Sequence, residues 1–233
     1  MAKRHSNWVI TPDKFFEVDE IQKIYELLMR RRETDARRNY INMFLVDMLL
    51  GTGLRAAELC SLRIDQTPVV FTVDKIWIQG KGKKTRIITI RPELSDAIRD
   101  YVANIRPSLL PRKIKRSDTT APLLFTEYGH PFNRRLLYDR LRRIGIKAGI
   151  LKTVGPHKFR HTYATTFVRE THDILALQGQ MGHSSVNTTA VYAKVDDGRL
   201  GSMLSNIGTF NVGTVLCNLR RVKPLKDRNL KTG

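Results

Sequence analysis

Apolar residues recur at helical spacing along most of this chain, and that limits its fold more than any other feature. Ile21, Ile24, Tyr25 and Leu28 stand at i, i+3, i+4 and i+7, and Ile41, Phe44, Leu45 and Met48 repeat the stripe. Positions three and four apart share a helix face, so each set predicts an amphipathic helix with one side to bury. The second helix is expected to stop at Gly51-Thr52-Gly53, because glycine allows the left-handed backbone that ends a helix. Leu94, Ala97, Ile98, Tyr101, Val102 and Ile105 form a third stripe. Leu137, Leu141 and Ile144 run through a basic helix expected over 133–148, and Pro156 suits the first turn of another. Shorter helices are expected over 172–181 and 185–193, with a further helical stretch to about 207. Strand character is confined to one section. Val69-Val70-Phe71, Ile76-Trp77-Ile78 and Arg86 to Ile90 read as short strands, and Gly80 to Lys84 as a hairpin loop. The expected fold is mainly α with a small antiparallel β-sheet (α+β).

At 233 residues the chain is long enough to bury a sizeable core, as one large domain or two small ones. No apolar run reaches the roughly 18 residues that span a bilayer, so no membrane partner is expected. The first residues lead into polar sequence without an apolar export signal, and Cys60 and Cys217 show no sign of pairing. A reducing cytoplasm fits. Lys and Arg total 41 against 22 acidic residues, a net charge of +19, and the pI is near 10.3. Such an excess attracts polyanions, nucleic acid first among them, though charge alone does not separate passive binding from chemistry. The candidate DNA-contacting groups are Arg30, Arg31, Arg32, Arg37 and Arg38 between the first two helices, Lys83 and Lys84 in the hairpin loop, and Arg134 and Arg135 at the start of the basic helix. An exposed basic loop is expected over 107–122.

Three segments carry residues suited to chemistry: Gly51 to Leu59, Gly155 to Thr162, and Met181 to Ser185 with Tyr192 beyond. His157 and Arg160 are i and i+3 on one predicted helix and should project from one face. Arg55 stands where a glycine turn enters a helix, a place where backbone and side chain converge on an anion. His183 follows Gly182 in a turn, and Tyr192 lies nine residues on. Two arginines, two histidines, the loop lysine Lys81 and a tyrosine suit a phosphodiester, since the arginine fork grips two phosphate oxygens and stays charged. Taken singly, each has a plainer reading. The His157/Arg160 pair reads as a surface pair, Lys81 as a solvated turn residue, Tyr192 as core, Cys60 as packing and His161 as a brace for its helix.

Their order changes that reading. GTGLRAAEL, IQGKGKKTRI, PHKFRHTYAT and LQGQMGHSSVNTTAVYAKV, in this succession, resemble the catalytic domain of the tyrosine recombinases, the phage-integrase type. The resemblance runs from about residue 16 to 207. It implies that Arg55 and Arg160 clamp the scissile phosphate, that Lys81 protonates the 5′-oxygen leaving group, and that Tyr192 is the nucleophile. His157 and His183 match the family's two further catalytic positions, and Glu58 a supporting carboxylate. The implied activity is site-specific DNA recombination (integration, excision, inversion or resolution) through a covalent 3′-phosphotyrosyl link, with no metal and no cofactor. The implied partners are double-stranded DNA at specific recombination sites and copies of the chain, four on two duplexes, dimeric or monomeric off DNA, with room for accessory proteins. The place would be the cytoplasm, on the nucleoid. Two alternatives stay open: a type IB topoisomerase, and a non-catalytic DNA-binding regulator. Most members carry an N-terminal core-binding domain, and Arg55 comes too early to leave room for one. The expected organisation is a basic arm over 1–15, a catalytic domain over 16–207, and a tail over 208–233 for protomer–protomer contact. It would be either a naturally small recombinase, as in fimbrial inversion, or an excised piece.

Overall fold

The computed structural model describes residues 11–30, 36–79 and 85–182. Its helices are α1 (Val18–Met29), α2 (Ala36–Thr52), α3 (Ala56–Ser61), α4 (Pro92–Asp100), α5 (Arg134–Lys147), α6 (Pro156–Thr171) and α7 (Ile174–Met181), and its strands are β1 (Lys75–Gln79) and β2 (Thr85–Thr89). Among these residues no helix is long and apolar enough to cross a membrane.

The start of α1 follows from its polar residues: the Glu17 N–H donates to Glu20 Oε2 at 2.9 Å, supplying a partner that the first turn lacks. Ile24, Tyr25 and Leu28 are its buried face. The stripe on α2 understates that helix, because every residue from Ile41 to Leu49 is buried. A helix stretch buried on all sides belongs in the middle of a fold, and α1, α4 and α6 all pack on α2. One continuous core joins these helices to Leu54, Leu59, Ile76, Ile78, Ile88, Leu137, Leu141 and Phe159. A smaller cluster (Phe15, Tyr163, Ala164, Val168, Leu177 and Met181) seats α7 beneath α6. Thr11 to Phe15, within the stretch expected as an arm, lie against this part of the molecule: Lys152 Nζ donates to the Pro12 carbonyl at 3.0 Å, and the Phe16 N–H donates to Thr162 Oγ1 at 2.9 Å.

The two strands pair antiparallel, with Lys75 opposite Thr89, Trp77 opposite Ile87 and Gln79 opposite Thr85. Period-2 alternation turns Ile76, Ile78 and Ile88 inward, while Ile87 stays exposed. The strand expected over Val69-Val70-Phe71 does not form. The Val70 N–H donates to the Thr67 carbonyl at 3.2 Å and the Val69 N–H to Thr67 Oγ1 at 3.4 Å, so a local turn takes the bonds a ladder would have used. Phe71 lies instead on the Trp77 ring, 4.1 Å between centroids. β-branched composition favoured a strand there, but among the described residues no strand lies beside it to pair with.

The third stripe continues past α4 as a wider π turn (Tyr101–Ile105) and a 3-10 turn (Arg106–Ser108). In the loop beyond, Arg112, Lys113, Lys115 and Arg116 are exposed. Asn133 caps α5 by accepting from the Leu136 N–H at 2.9 Å, and α6 opens with Gly155 as cap and Pro156 in its first turn. The helices expected over 185–193 and on to 207 lie outside the described residues.

Candidate active site

Three chain turns meet where α2 ends, α6 begins and α7 ends. On α6 the expected pair does share a side, but at two depths. His157 is exposed in the first turn, whereas Arg160, one turn deeper, is 6% exposed. Arg160 donates Nη1 to the Gly53 carbonyl, 107 positions away in the chain, and Nη2 to the Met181 carbonyl at 2.8 Å. Its plane is thereby set by main chain from both neighbouring turns. Gly53 allows this approach for two reasons: its φ is +60°, and a Cβ there would fall 2.3 Å from the Tyr163 ring.

Arg55 leaves the same turn at the head of α3. Its N–H donates to Glu58 Oε2 at 2.8 Å, its Nη1 to Glu58 Oε1 at 2.9 Å, and its Nη2 approaches the Gly182 carbonyl at 3.5 Å. The two arginines therefore flank one short wall made of Gly53 and Met181-Gly182. The side chain of Arg55 keeps 43% exposure, so a guanidinium is presented toward solvent beside a buried one.

Glu58 is the hub. Besides Arg55 it accepts from both terminal nitrogens of Arg86, each at 2.8 Å. Arg86 Nε donates to the Gln180 carbonyl at 3.1 Å. Burial pushes the Glu58 carboxyl upward, but the bonds from Arg86 and Arg55 outweigh it and draw it down to about 2. Arg86 is absent from the residues expected from the sequence. A signal for it exists: alternation on β2 puts Arg86 on the same side as the buried Ile88, and a cation facing inward requires an anionic partner.

His157 opens onto a groove it shares with Lys14, Tyr138, Lys158 and His161. Burial first, and then the charges of His157, Lys14 and Arg160, pull His161 down to about 4. At neutral pH it is an uncharged ring in the same groove as the exposed His157. Lys81, His183 and Tyr192 lie outside the described residues, as do Arg31, Arg32, Lys83 and Lys84. Of the remaining cations proposed to meet DNA, Arg30, Arg37, Arg134 and Arg135 are exposed, with Arg30 also paired to Glu26 at 3.0 Å. Arg38 donates to Glu127 at 2.7 Å and to the Tyr128 hydroxyl at 2.8 Å, and the same Glu127 accepts from Arg140 at 2.8 Å.

The sequence pattern of the Phage integrase family matches residues 14–199. The chain belongs to the phage integrase family. Among similar proteins, tyrosine recombinase XerD of Staphylococcus haemolyticus (strain JCSC1435) is 28% identical over 204 residues, 87% of this chain and 67% of its own length. The XerD of Staphylococcus aureus (strain Mu50 / ATCC 700699) is 27% identical over 189 residues, 80% of this chain and 62% of its own. The crystal structure of XerA recombinase superposes with a TM-score of 0.64 at 31% identity, covering 88% of this chain and 65% of that one. XerH site-specific recombinase, bound to palindromic difH substrate in a post-cleavage complex, gives 0.65 at 26%, covering 82% of this chain and 52% of that one. The chain thus spans about half to two thirds of the length of these relatives. In fold this phage-integrase chain matches the tyrosine-recombinase catalytic domains: mostly helical with a two-stranded antiparallel sheet.

Proposed function

We propose that this chain carries the catalytic domain of a site-specific DNA recombinase, which cuts and rejoins strands through a covalent 3′-phosphotyrosyl link to Tyr192. The observation that carries the reading is the meeting of Arg55 and Arg160 on one wall of main chain, held by Gly53 and Met181-Gly182. The chain passes from that wall directly into His183, nine residues before Tyr192.

The roles follow from phosphate chemistry. A tyrosine with a pKa of about 10 is phenolate in only roughly one molecule per thousand at pH 7. Its attack on phosphorus therefore needs a base (His157 stands open to solvent at the lip of the site) or a field that favours the anion. Arg55 and Arg160 supply the field and hold the phosphate in line. The five-coordinate phosphorane carries more negative charge than the diester, so fixed cations bind it better than the ground state. As the P–O5′ bond breaks, Lys81 donates a proton to the departing oxygen and His183 supports the phosphate. The products are a 3′-phosphotyrosine and a 5′-hydroxyl. Resealing reverses the step with no outside energy, because the phosphodiester bond is conserved in the protein link.

The proposed partner is double-stranded DNA at defined sites, gripped by Arg30, Arg31, Arg32, Arg37, Lys83, Lys84, Arg134 and Arg135. Four copies on two duplexes make the working assembly, in the cytoplasm on the nucleoid, with residues 208–233 in protomer contact. Topoisomerase-like relaxation and passive regulation are not favoured, since the matching relatives are recombinases by name.

The test is adduct formation on nicked suicide duplexes cut from DNA flanking the gene. The wild-type chain is expected to give an SDS-stable adduct, and Tyr192→Phe none while still binding DNA. An adduct from Tyr192→Phe overturns the nucleophile, and no adduct from the wild-type chain on any flanking fragment overturns the reading.

A further inference from the structure

The contacts of Glu58 raise a problem of charge. A carboxylate that orients an arginine by direct pairing also cancels that arginine's charge, and charge is what the proposed phosphate site needs. Glu58 holds Arg55 by two bonds, from the backbone N–H and from Nη1. Left alone, the pair would present an oriented but neutral unit to the phosphate.

Arg86 alters that balance. It approaches Glu58 end-on with both terminal nitrogens at 2.8 Å, so each carboxylate oxygen accepts one of them. The Arg86 side chain keeps 15% exposure and that of Glu58 13%, against 43% for Arg55. The shielded ion pair is therefore Arg86 with Glu58, where the surroundings screen least, and Arg55 faces outward. Two guanidiniums against one carboxylate leave one net positive charge, located on the exposed member. Arg86 is itself held in register: Nε donates to the Gln180 carbonyl at 3.1 Å, and Gly182, whose Cβ would fall 2.8 Å from Arg86 Cδ, makes room for its stem. It belongs to β2, the strand that follows the loop bearing Lys81.

We propose that Arg86 is a positioning residue for strand cleavage: by taking up the charge of Glu58 in a bidentate pair, it lets Glu58 orient Arg55 while Arg55 keeps its positive charge for the scissile phosphate. The inference rests on the recombinase reading above. Arg86 touches no reacting atom and acts only through Glu58 and Arg55.

The test compares single-turnover rates of adduct formation by the full chain on the suicide duplex that works for wild type. Arg86→Gln is expected to slow the step by about a hundredfold, the scale set by loss of one charge-stabilising group. The deciding variant is Glu58→Gln with Arg86→Gln. Removing the carboxylate that now cancels Arg55 should make the double variant at least about tenfold faster than Arg86→Gln alone, a recovery that a merely structural role would not produce. Arg86→Lys, which keeps the charge but loses the planar fork, is expected within about tenfold of wild type, and it decides the matter if Arg86→Gln does not fold. Wild-type speed in Arg86→Gln, a double variant no faster than that single one, or a folded Arg86→Lys about a hundredfold slow would each overturn the inference. Absence of any wild-type adduct would instead overturn the recombinase reading.

Discussion

At the scale of single residues, Asp47 is a titratable group buried in apolar surroundings with only part of its carboxyl satisfied among the described residues. It lies on the central helix, 1% exposed, and accepts from the Tyr25 hydroxyl at Oδ1. Its Oδ2 has no hydrogen-bond partner among the described residues. Burial pushes its carboxyl up to about 7 despite the Tyr25 bond, whereas in an unfolded chain it would ionise near 4. Between those values the folded form keeps a proton that the unfolded form has released. Stability due to this group therefore falls as pH rises from about 4 to about 7, by a few kcal/mol on the order of the shift, and is level outside that window. Asp47→Asn removes the titration. In urea unfolding at pH 5 and pH 7.5, the variant is expected to lose clearly less stability than wild type over that rise. Parallel losses in both proteins would count against an unusually basic Asp47. Glu58 titrates in the opposite sense: held at about 2, it stabilises above the ordinary carboxylate range and loses that contribution only as the solution becomes strongly acidic.

At the scale of elements, most of the helices were legible because their apolar residues repeat every three or four positions. Leu137, Leu141 and Ile144 are the buried line of α5, as periodicity requires. The strand expected at Val69-Val70-Phe71 was misread, because composition reports what fits a pleated surface and not whether a partner strand exists. Arg86 was overlooked for a related reason: its partner, Glu58, lies 28 positions away. Packing between elements also reverses a propensity rule on α5. Alanine for glycine inside a helix normally adds about 1 kcal/mol, but a Cβ on Gly145 would lie 2.3 Å from Val154 Cγ2. Gly145→Ala is therefore expected to destabilise by about 1–3 kcal/mol, because the added Cβ also meets Val154 Cβ at 2.6 Å, an atom no rotamer change can move away. Urea midpoints of the two proteins measure it, and a more stable Gly145→Ala would show that the two segments are not packed this closely.

For the whole molecule, charge is the dominant property. The excess of +19 is displayed by exposed groups on separate elements, among them Arg112, Lys113, Arg116, Arg134, Arg135, Arg142 and Arg143. Contacts between such groups and DNA phosphates release counterions, so binding should weaken with salt in proportion to their number. With six or more contacts, affinity is expected to fall by about a thousandfold between 50 and 200 mM salt. Fluorescence anisotropy on a labelled duplex across that range gives the slope, and a flat response would mean that the basic surfaces do not meet the backbone.

The helical periodicity, the position of the hairpin and the order of the four motifs were all properties of the sequence by itself, since each depends on neighbours a few residues apart or on motif succession. That sufficed to expect a mainly α chain with one small antiparallel sheet, and to single out Arg55, Glu58, His157 and Arg160. Tertiary structure alone decided the burial of α2 on every side, the difference in depth between His157 and Arg160, and the joining of Gly53, Arg160 and Met181 into one wall. It also decided that Glu58 answers to two arginines. Those outcomes depend on contacts between segments far apart in the chain, whose meeting is set by packing around α2 and not by local pattern.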